Sequence, residues 1–223
     1  MNRDIRACLF DLDGVIVATD HLHYQAWKQL ADQQGWAFDE SVNRKCRGIP
    51  RLASLQVILD HNGIQLDETE AQRLCHEKNE HYRGLLEDLS PNDRLPGITG
   101  LLDEIRTAGL RIGLCSSSRN AETVITALQL ADHFDCMVTG GDIINAKPDP
   151  EIFLRAAGLL SVPPGHCCVF EDAEAGITAA EAAGMLAIGV GLVDVPPAAA
   201  IQIHSYSPEL LQRLGILDIA NGG

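Results

Sequence analysis

From Ile5 to Gly14 the chain reads IRACLFDLDG, a short apolar run that stops at Asp11, Leu12, Asp13 and a glycine. Ile5 to Phe10 predicts a buried strand, because the apolar residues are continuous rather than alternating. Carboxylates are costly beside a core. Two of them at the end of a buried strand therefore call for a function or a counter-charge.

Four more apolar runs follow: Ile112–Cys115, Cys136–Val138, Cys167–Phe170 and Ala187–Val190. Between them lie helical patterns at Gly97–Ala108, Asn120–Leu130, Glu151–Leu160 and Ala173–Ala183. This alternation predicts the α/β class, with a doubly wound parallel sheet carrying helices on both faces. One region breaks the rhythm, since no strand is evident between Gly14 and Pro96. Instead three apolar stripes recur at helical spacing: Tyr24, Trp27, Leu30 and Ala31; Leu52, Leu55, Ile58 and Leu59; Leu74, Lys78, Tyr82, Leu85, Leu86 and Leu89. They predict an inserted α-helical cap domain over residues 18–91, with the α/β core domain formed by 1–17 and 92–223. Ser90-Pro91-Asn92-Asp93 suits the return hinge, and Pro96-Gly97 the start of the next core helix. From Val195-Pro196-Pro197 onward the tail predicts a loop, a short strand and a last helix.

The composition excludes several function classes. The 223 residues carry 17 Lys and Arg against 31 Asp and Glu, a formal charge of −14. Sequence-independent nucleic-acid binding needs clustered cations, so no nucleic-acid partner is expected. No apolar run approaches the ~20 residues of a membrane helix, and the first residues lack a signal region. No membrane association is expected. The seven cysteines form no Cys-x-x-Cys pair and suit free buried thiols. A cytoplasmic monomer acting on a small molecule is the expectation.

Strand ends are where polar residues need an explanation, and four of them are loaded. The first gives Asp11 and Asp13, and the second gives Ser116-Ser117-Ser118-Arg119-Asn120. The third leads into Asn145-Ala146-Lys147-Pro148-Asp149-Pro150, and the fourth ends in Glu171-Asp172. Singly, each has an ordinary explanation: a loop, an N-cap at Ser118, a surface lysine, a helix cap before Ala173. Together, at the carboxyl ends of parallel strands where ligands gather, they make one site. Four carboxylates repel one another unless a cation sits among them. Oxygen ligands without His or Cys indicate a hard ion, Mg²⁺. A hydroxyl-rich turn opening a helix, together with Lys147, fits a phosphate. Magnesium beside a phosphate cradle implies phosphoryl transfer.

FDLDGV, the Ser-rich turn, KPDPEIF and FEDAEAGI resemble the four motifs of the haloacid dehalogenase (HAD) superfamily. Within it, GVIVATDHLHYQAW, RGIPRLASL, EKNEHY, LSPNDRLPGI and CSSSRN are similar to the β-phosphoglucomutase family, so the resemblance runs from Arg6 to about Val190. It implies a Rossmann-like core and a sugar phosphate as substrate, with β-glucose 1,6-bisphosphate as the phosphorylating intermediate. It implies Asp11 as nucleophile and Asp13 as general acid/base. Mg²⁺ would be held by Asp11, the backbone carbonyl of Asp13 and Asp172, with Glu171 nearby. Ser116 and Lys147 would hold the transferring phosphoryl group, and Ser117, Ser118, Arg119 and Asn120 the second part of that pocket. In the cap region the resemblance points to Thr19, His23, Trp27, Arg47, Gly48, Ile49, Arg51, Ser54 and Lys78 as sugar or distal-phosphate contacts. By periodicity alone His23 reads as a cap-core histidine, and it is the register with Asp11 and Asp13 shared with the family that makes it a ligand contact; Trp27 suits either cap core or ligand wall. His21 and His23 do not make a metal pair, since i,i+2 residues diverge on a helix.

The chain departs from the family pattern at Ala18, where an acid is usual, at Arg47 and Arg119, where lysine is common, and at Pro50, where serine is usual. A carboxylate at a strand end can attack phosphorus in line. A second carboxylate two residues on can give and then take the sugar proton. The expected activity is interconversion of β-glucose 1-phosphate and glucose 6-phosphate. The alternative is a sugar- or polyol-phosphate phosphatase using the same two aspartates. A binding protein without activity would have lost some of these carboxylates, and all are present.

Overall fold

In the computed structural model, which describes residues 4–191 and 201–217, Ala7–Phe10 forms β1 with every residue buried. Its side chains alternate between two cores, as period 2 requires. Ala7 and Leu9 join one apolar cluster, Cys8 and Phe10 the other. Arg111–Ser116 (β2), Cys136–Thr139 (β3), Cys167–Glu171 (β4), Leu186–Val190 (β5) and Ile201–Ile203 (β6) complete a parallel sheet of order β3-β2-β1-β4-β5-β6. β1 is thus central, in register with β2 through Phe10 and Leu114, and with β4 through Phe10 and Phe170. The Phe10 and Phe170 rings stack with centroids 4.5 Å apart. Such pairs contribute about 0.5–1.5 kcal/mol beyond area burial.

Both faces of the sheet are covered, as expected for a doubly wound fold. Ile98–Thr107 (α5) and Ala121–Ala127 (α6) pack with the Cys8–Phe10 face, and Glu151–Leu160 (α7) and Glu174–Ala182 (α8) pack with the Ala7–Leu9 face. α6 stops three residues short of the expected Leu130. Gln129 takes a left-handed φ of 53°, and the Arg94 guanidinium donates to the carbonyls of Leu128 and Gln129. In the tail, β6 and Leu210–Arg213 (α9) match the expected strand and helix. The loop expected from Val195 lies outside the described residues.

Between β1 and α5 the chain forms four helices: Asp20–Gln34 (α1), Glu40–Arg44 (α2), Arg51–Asn62 (α3) and Glu68–Leu86 (α4). Asp39 and Asp67 accept backbone N–H groups at the starts of α2 and α4. Trp27, Leu30, Leu55, Ile58, Leu59 and Leu74 form a separate cap core. Leu52 does not join its expected stripe. It is 52% exposed, at the rim of the cavity described below. The segment expected to lack strands contains two isolated bridges, Val17 with Asp13 and Val17 with Arg94. They bring the outgoing and returning crossings together. Ser90 and Asp93 form a reciprocal capping box at the return.

Candidate active site

A cavity of about 480 Å³ lies between the carboxyl end of the sheet and the cap. β1 delivers Asp11 and Asp13 to its floor. Gly14 then turns the chain with φ 78°, and a Cβ there would lie 2.1 Å from Asp172 Oδ2. Glycine is required by both conformation and space.

Asp11, Glu171 and Asp172 bring carboxylate oxygens within 4.8 Å of one another, all on buried residues. Lys147, with a fully buried side chain, donates to Asp11 Oδ1 at 2.5 Å, to Glu171 Oε1 and to the Cys115 carbonyl. The other Glu171 oxygen accepts the N–H groups of Asp172 and Ala173. Glu171 therefore spends both oxygens on protein donors, while Asp11 and Asp172 face the cavity. Burial pushes the Asp11 and Asp172 carboxyls well up, and neighbouring carboxylates add to it. Lys147 pulls Asp11 back and is itself held charged by its two carboxylates. The ammonium is the firmer of these, because one cation serves two anions. The cluster gathers three buried carboxylates and offers oxygen donors only, and so fits a hard divalent cation. The Asp13 carboxylate stands outside that set, so only its backbone carbonyl remains as the expected ligand atom.

Asp13 instead faces the cap. It accepts the Thr19 hydroxyl, and His23 Nε2 lies 3.7 Å from Oδ1. Burial raises its carboxyl to about 6, against the pull of that hydroxyl. Thr19 is fully buried behind the wall, so its hydroxyl serves Asp13 rather than the cavity. Lys147 likewise reaches the cavity only through Asp11. His23 stacks on Tyr82 at 4.0 Å, and its Nδ1 lies 2.9 Å from Lys78 Nζ. Lys78 is buried between Trp27 and Tyr82, its Nζ 5.1 Å and 4.7 Å from the ring centres. Burial, then nearby Arg51, lowers its ammonium to about 7. Burial first, and then the Lys78 charge, lowers His23 well below its usual range. Trp27 both fills the cap core and lines the cavity, so its two readings coincide.

The Ser-rich turn lies opposite. Ser116 Oγ accepts the Ser118 N–H, and Ser118 Oγ accepts the Asn120 N–H. The N-cap expected at Ser118 therefore falls at Asn120, whose side chain does not cap α6 but crosses to the cap. Ser117 donates to the Gly48 carbonyl at 3.1 Å. Arg47 forms ion pairs with Asp172 and with Asp20. Ile49, Arg51 and Arg119 line the cavity, as does Ser54, whose hydroxyl bonds backbone carbonyls of Cys46 and Pro50. Asp20, Asn79 and Tyr82 also line it and were not singled out from the sequence. Asp20 opens α1 and reads as a first-turn acid. Asn79 and Tyr82 carry no local signal beyond helical spacing.

Residues 5–184 match the haloacid dehalogenase-like hydrolase family. A β-phosphoglucomutase of Bacillus subtilis (strain 168) is 45% identical over 84% of this chain and 84% of its own. A fructose-1-phosphate phosphatase of Escherichia coli (strain K12) is 34% identical over 83% of this chain and 96% of its own. The crystal structure of a β-phosphoglucomutase from Clostridium difficile superposes with a TM-score of 0.89 at 39% identity, covering 95% of this chain and 97% of that one. The chain belongs to the haloacid dehalogenase superfamily.

Proposed function

We propose that the protein is a Mg²⁺-dependent β-phosphoglucomutase, interconverting β-D-glucose 1-phosphate and D-glucose 6-phosphate. The observation that carries this is a cavity with a reacting end and, across from it, an anion-binding end. One end has the Asp11 carboxylate beside Ser116. The other has Arg51, Arg119 and Asn120, across the cleft between cap and core. A substrate phosphorylated at either of two positions, and transiently at both, needs both ends. The similarity to the Bacillus subtilis and Clostridium difficile enzymes supports the same reading.

Asp11 attacks phosphorus in line, forming an acyl–phosphate bond as the phosphorus–sugar oxygen bond breaks. Asp11 and Asp172, with the Asp13 carbonyl, would hold the Mg²⁺, which when bound neutralises charge on the transferring group. Lys147 holds Asp11 in place, and Ser116 contributes its hydroxyl. In the reverse step the second sugar hydroxyl attacks the aspartyl phosphate and Asp13 takes its proton. Asp13 later returns a proton to the leaving sugar oxygen. A carboxyl raised to about 6 is suited to both states near neutral pH. β-Glucose 1,6-bisphosphate is the intermediate that turns over between the two transfers. Ser117–Gly48, Asn120–Asn79 and Arg47–Asp172 seat the cap on the core, an arrangement that excludes water from the aspartyl phosphate. The domain division at residues 17/18 and 91/92, a monomeric state and a cytoplasmic location belong to the same proposal. Seven free thiols suit a reducing compartment.

The test is to supply Mg²⁺, β-glucose 1-phosphate and a trace of the bisphosphate, following glucose 6-phosphate and free phosphate together. Fast isomerisation with little phosphate release is expected. Rapid phosphate release without isomerisation would establish the phosphatase that the Escherichia coli relative exemplifies.

A further inference from the structure

Among the described residues lining the cavity, Asn79 is the one whose side-chain oxygen joins the two halves of the distal end. It lies on α4 of the cap, next to Lys78. Its Oδ1 accepts from Arg51 Nη2 at 2.6 Å and from Asn120 Nδ2 at 2.9 Å. The amide orientation follows from chemistry: a guanidinium only donates, so the atom facing Arg51 is oxygen, and Asn120 must then present its NH₂. Arg51 belongs to the cap and Asn120 to the core, 28 and 41 residues away in sequence. Neither acceptor of Arg51, Asn79 Oδ1 or the Cys75 carbonyl, is charged. Burial above all disfavours its guanidinium charge, and the charge of Arg119 adds to this against the opposing pull of Cys75.

We propose that Asn79 is a positioning residue. One uncharged oxygen converges a cap donor and a core donor, leaving their remaining N–H groups to grip the phosphate that is not reacting. Arg51 has five N–H donors and Asn120 has two, so each keeps donors free after serving Asn79. A neutral acceptor suits this position. It orients both donors without neutralising the guanidinium, whereas a carboxylate would hold them equally well and repel the incoming anion. Consecutive residues of α4 then serve opposite ends of the ligand, Lys78 toward Asp13 and Asn79 toward the distal phosphate. This inference rests on the proposed function for the identity of the ligand.

The experiment uses the full chain with Asp11→Asn, so that no phosphoryl transfer disturbs equilibrium. Calorimetry compares glucose 1,6-bisphosphate with inorganic phosphate. Asn79→Ala is expected to weaken the bisphosphate about tenfold, the worth of a hydrogen bond to a charged group, and to change inorganic phosphate by less than twofold. Asn120→Ala combined with Asn79→Ala should weaken the bisphosphate by less than the product of the two single effects, because both remove the same hydrogen bond. Asn79→Asp should melt at or above the parent temperature and yet bind the bisphosphate more weakly than Asn79→Ala. A purely structural role predicts that affinity follows the melting temperature. If the parent binds the bisphosphate and Asn79→Ala binds it equally well, or if both ligands weaken together, this inference alone is overturned. A parent that does not bind the bisphosphate overturns the proposed function with it.

Discussion

Replacing Lys147 with Met removes one buried ammonium and roughly conserves volume. In the native site that ammonium bonds Asp11, Glu171 and the Cys115 carbonyl and lies 5.0 Å from the Phe153 ring centre. Breaking a buried ion pair from one side costs about 3–5 kcal/mol. Glu171 keeps two backbone N–H bonds and Asp11 faces the cavity, so the lower figure, about 3 kcal/mol, applies at pH 8. Burial already holds the Asp11 carboxyl above its usual range, and Lys147 is what pulls it down. Without Lys147 it rises further. A carboxyl raised in the folded state contributes stability at low pH that is lost as pH climbs through the raised value. The penalty should therefore shrink at pH 5. Urea unfolding of both proteins at pH 5 and pH 8 with chelator measures this directly. Added Mg²⁺ replaces the missing charge, and a ligand at a hundred times its Kd stabilises by about 2.7 kcal/mol. The gain at a fixed Mg²⁺ concentration should be larger in the variant, whose carboxylates lack a competing cation. A penalty under about 1 kcal/mol at pH 8, or one undiminished at pH 5, refutes the shared-cation account.

Asp13→Asn should lower turnover by about 10²–10⁴-fold, the usual worth of a general acid/base. Its Mg²⁺ affinity, measured by calorimetry, should stay close to wild type, because its carboxylate stands outside the cluster; a collapse of Mg²⁺ binding would contradict this division of labour. Gly14→Ala should lower the melting temperature by about 4–8 °C, equivalent to about 2 kcal/mol in a chain of this size, since the new Cβ would meet Asp172 at a left-handed φ. An unchanged melting curve would count against the tight turn. Lys78 is held near pKa 7 in the folded state and titrates higher when unfolded. The unfolded chain thus binds more protons above pH 7, and stability rises with pH there, by up to ~1.4 kcal/mol per unit. Lys78→Met should lack that rise, so parallel denaturation slopes from pH 7 to 9 in the two proteins would exclude an unpaired buried lysine.

The elements that periodicity and punctuation determine were legible in the sequence. The whole of α7 falls where the apolar pattern places it, β1 ends at Phe10 as expected but starts at Ala7 rather than Ile5, and the four strand ends do meet at one sheet edge. The loaded strand ends were readable because parallel topology sends all their termini to the same side. What escaped was set by distant partners. Arg47 carries no local hint that it will pair with Asp172, 125 residues on. The end of α6 depends on Arg94 from another segment. By motif position Thr19 and Lys147 look like ligand contacts, but sequence position does not distinguish a cavity wall from the layer behind it, where both lie. Leu52 follows the same helical spacing as its buried neighbours and faces the cavity rim instead.

The central place of β1 also has a kinetic meaning. The strand that leads into Asp11 and Asp13 comes first among the described strands, yet Cys8 finds Cys168 of β4 only 160 positions further along the chain. Contacts of such separation form late and slowly, while helices joined by short turns close quickly. In refolding, the helical signal of α1 to α4 should return ahead of turnover, since the nucleophile acquires its cation, its lysine and its metal partners only when the last wide loop is closed. Recovered activity therefore reports completion of the sheet rather than collapse of the chain.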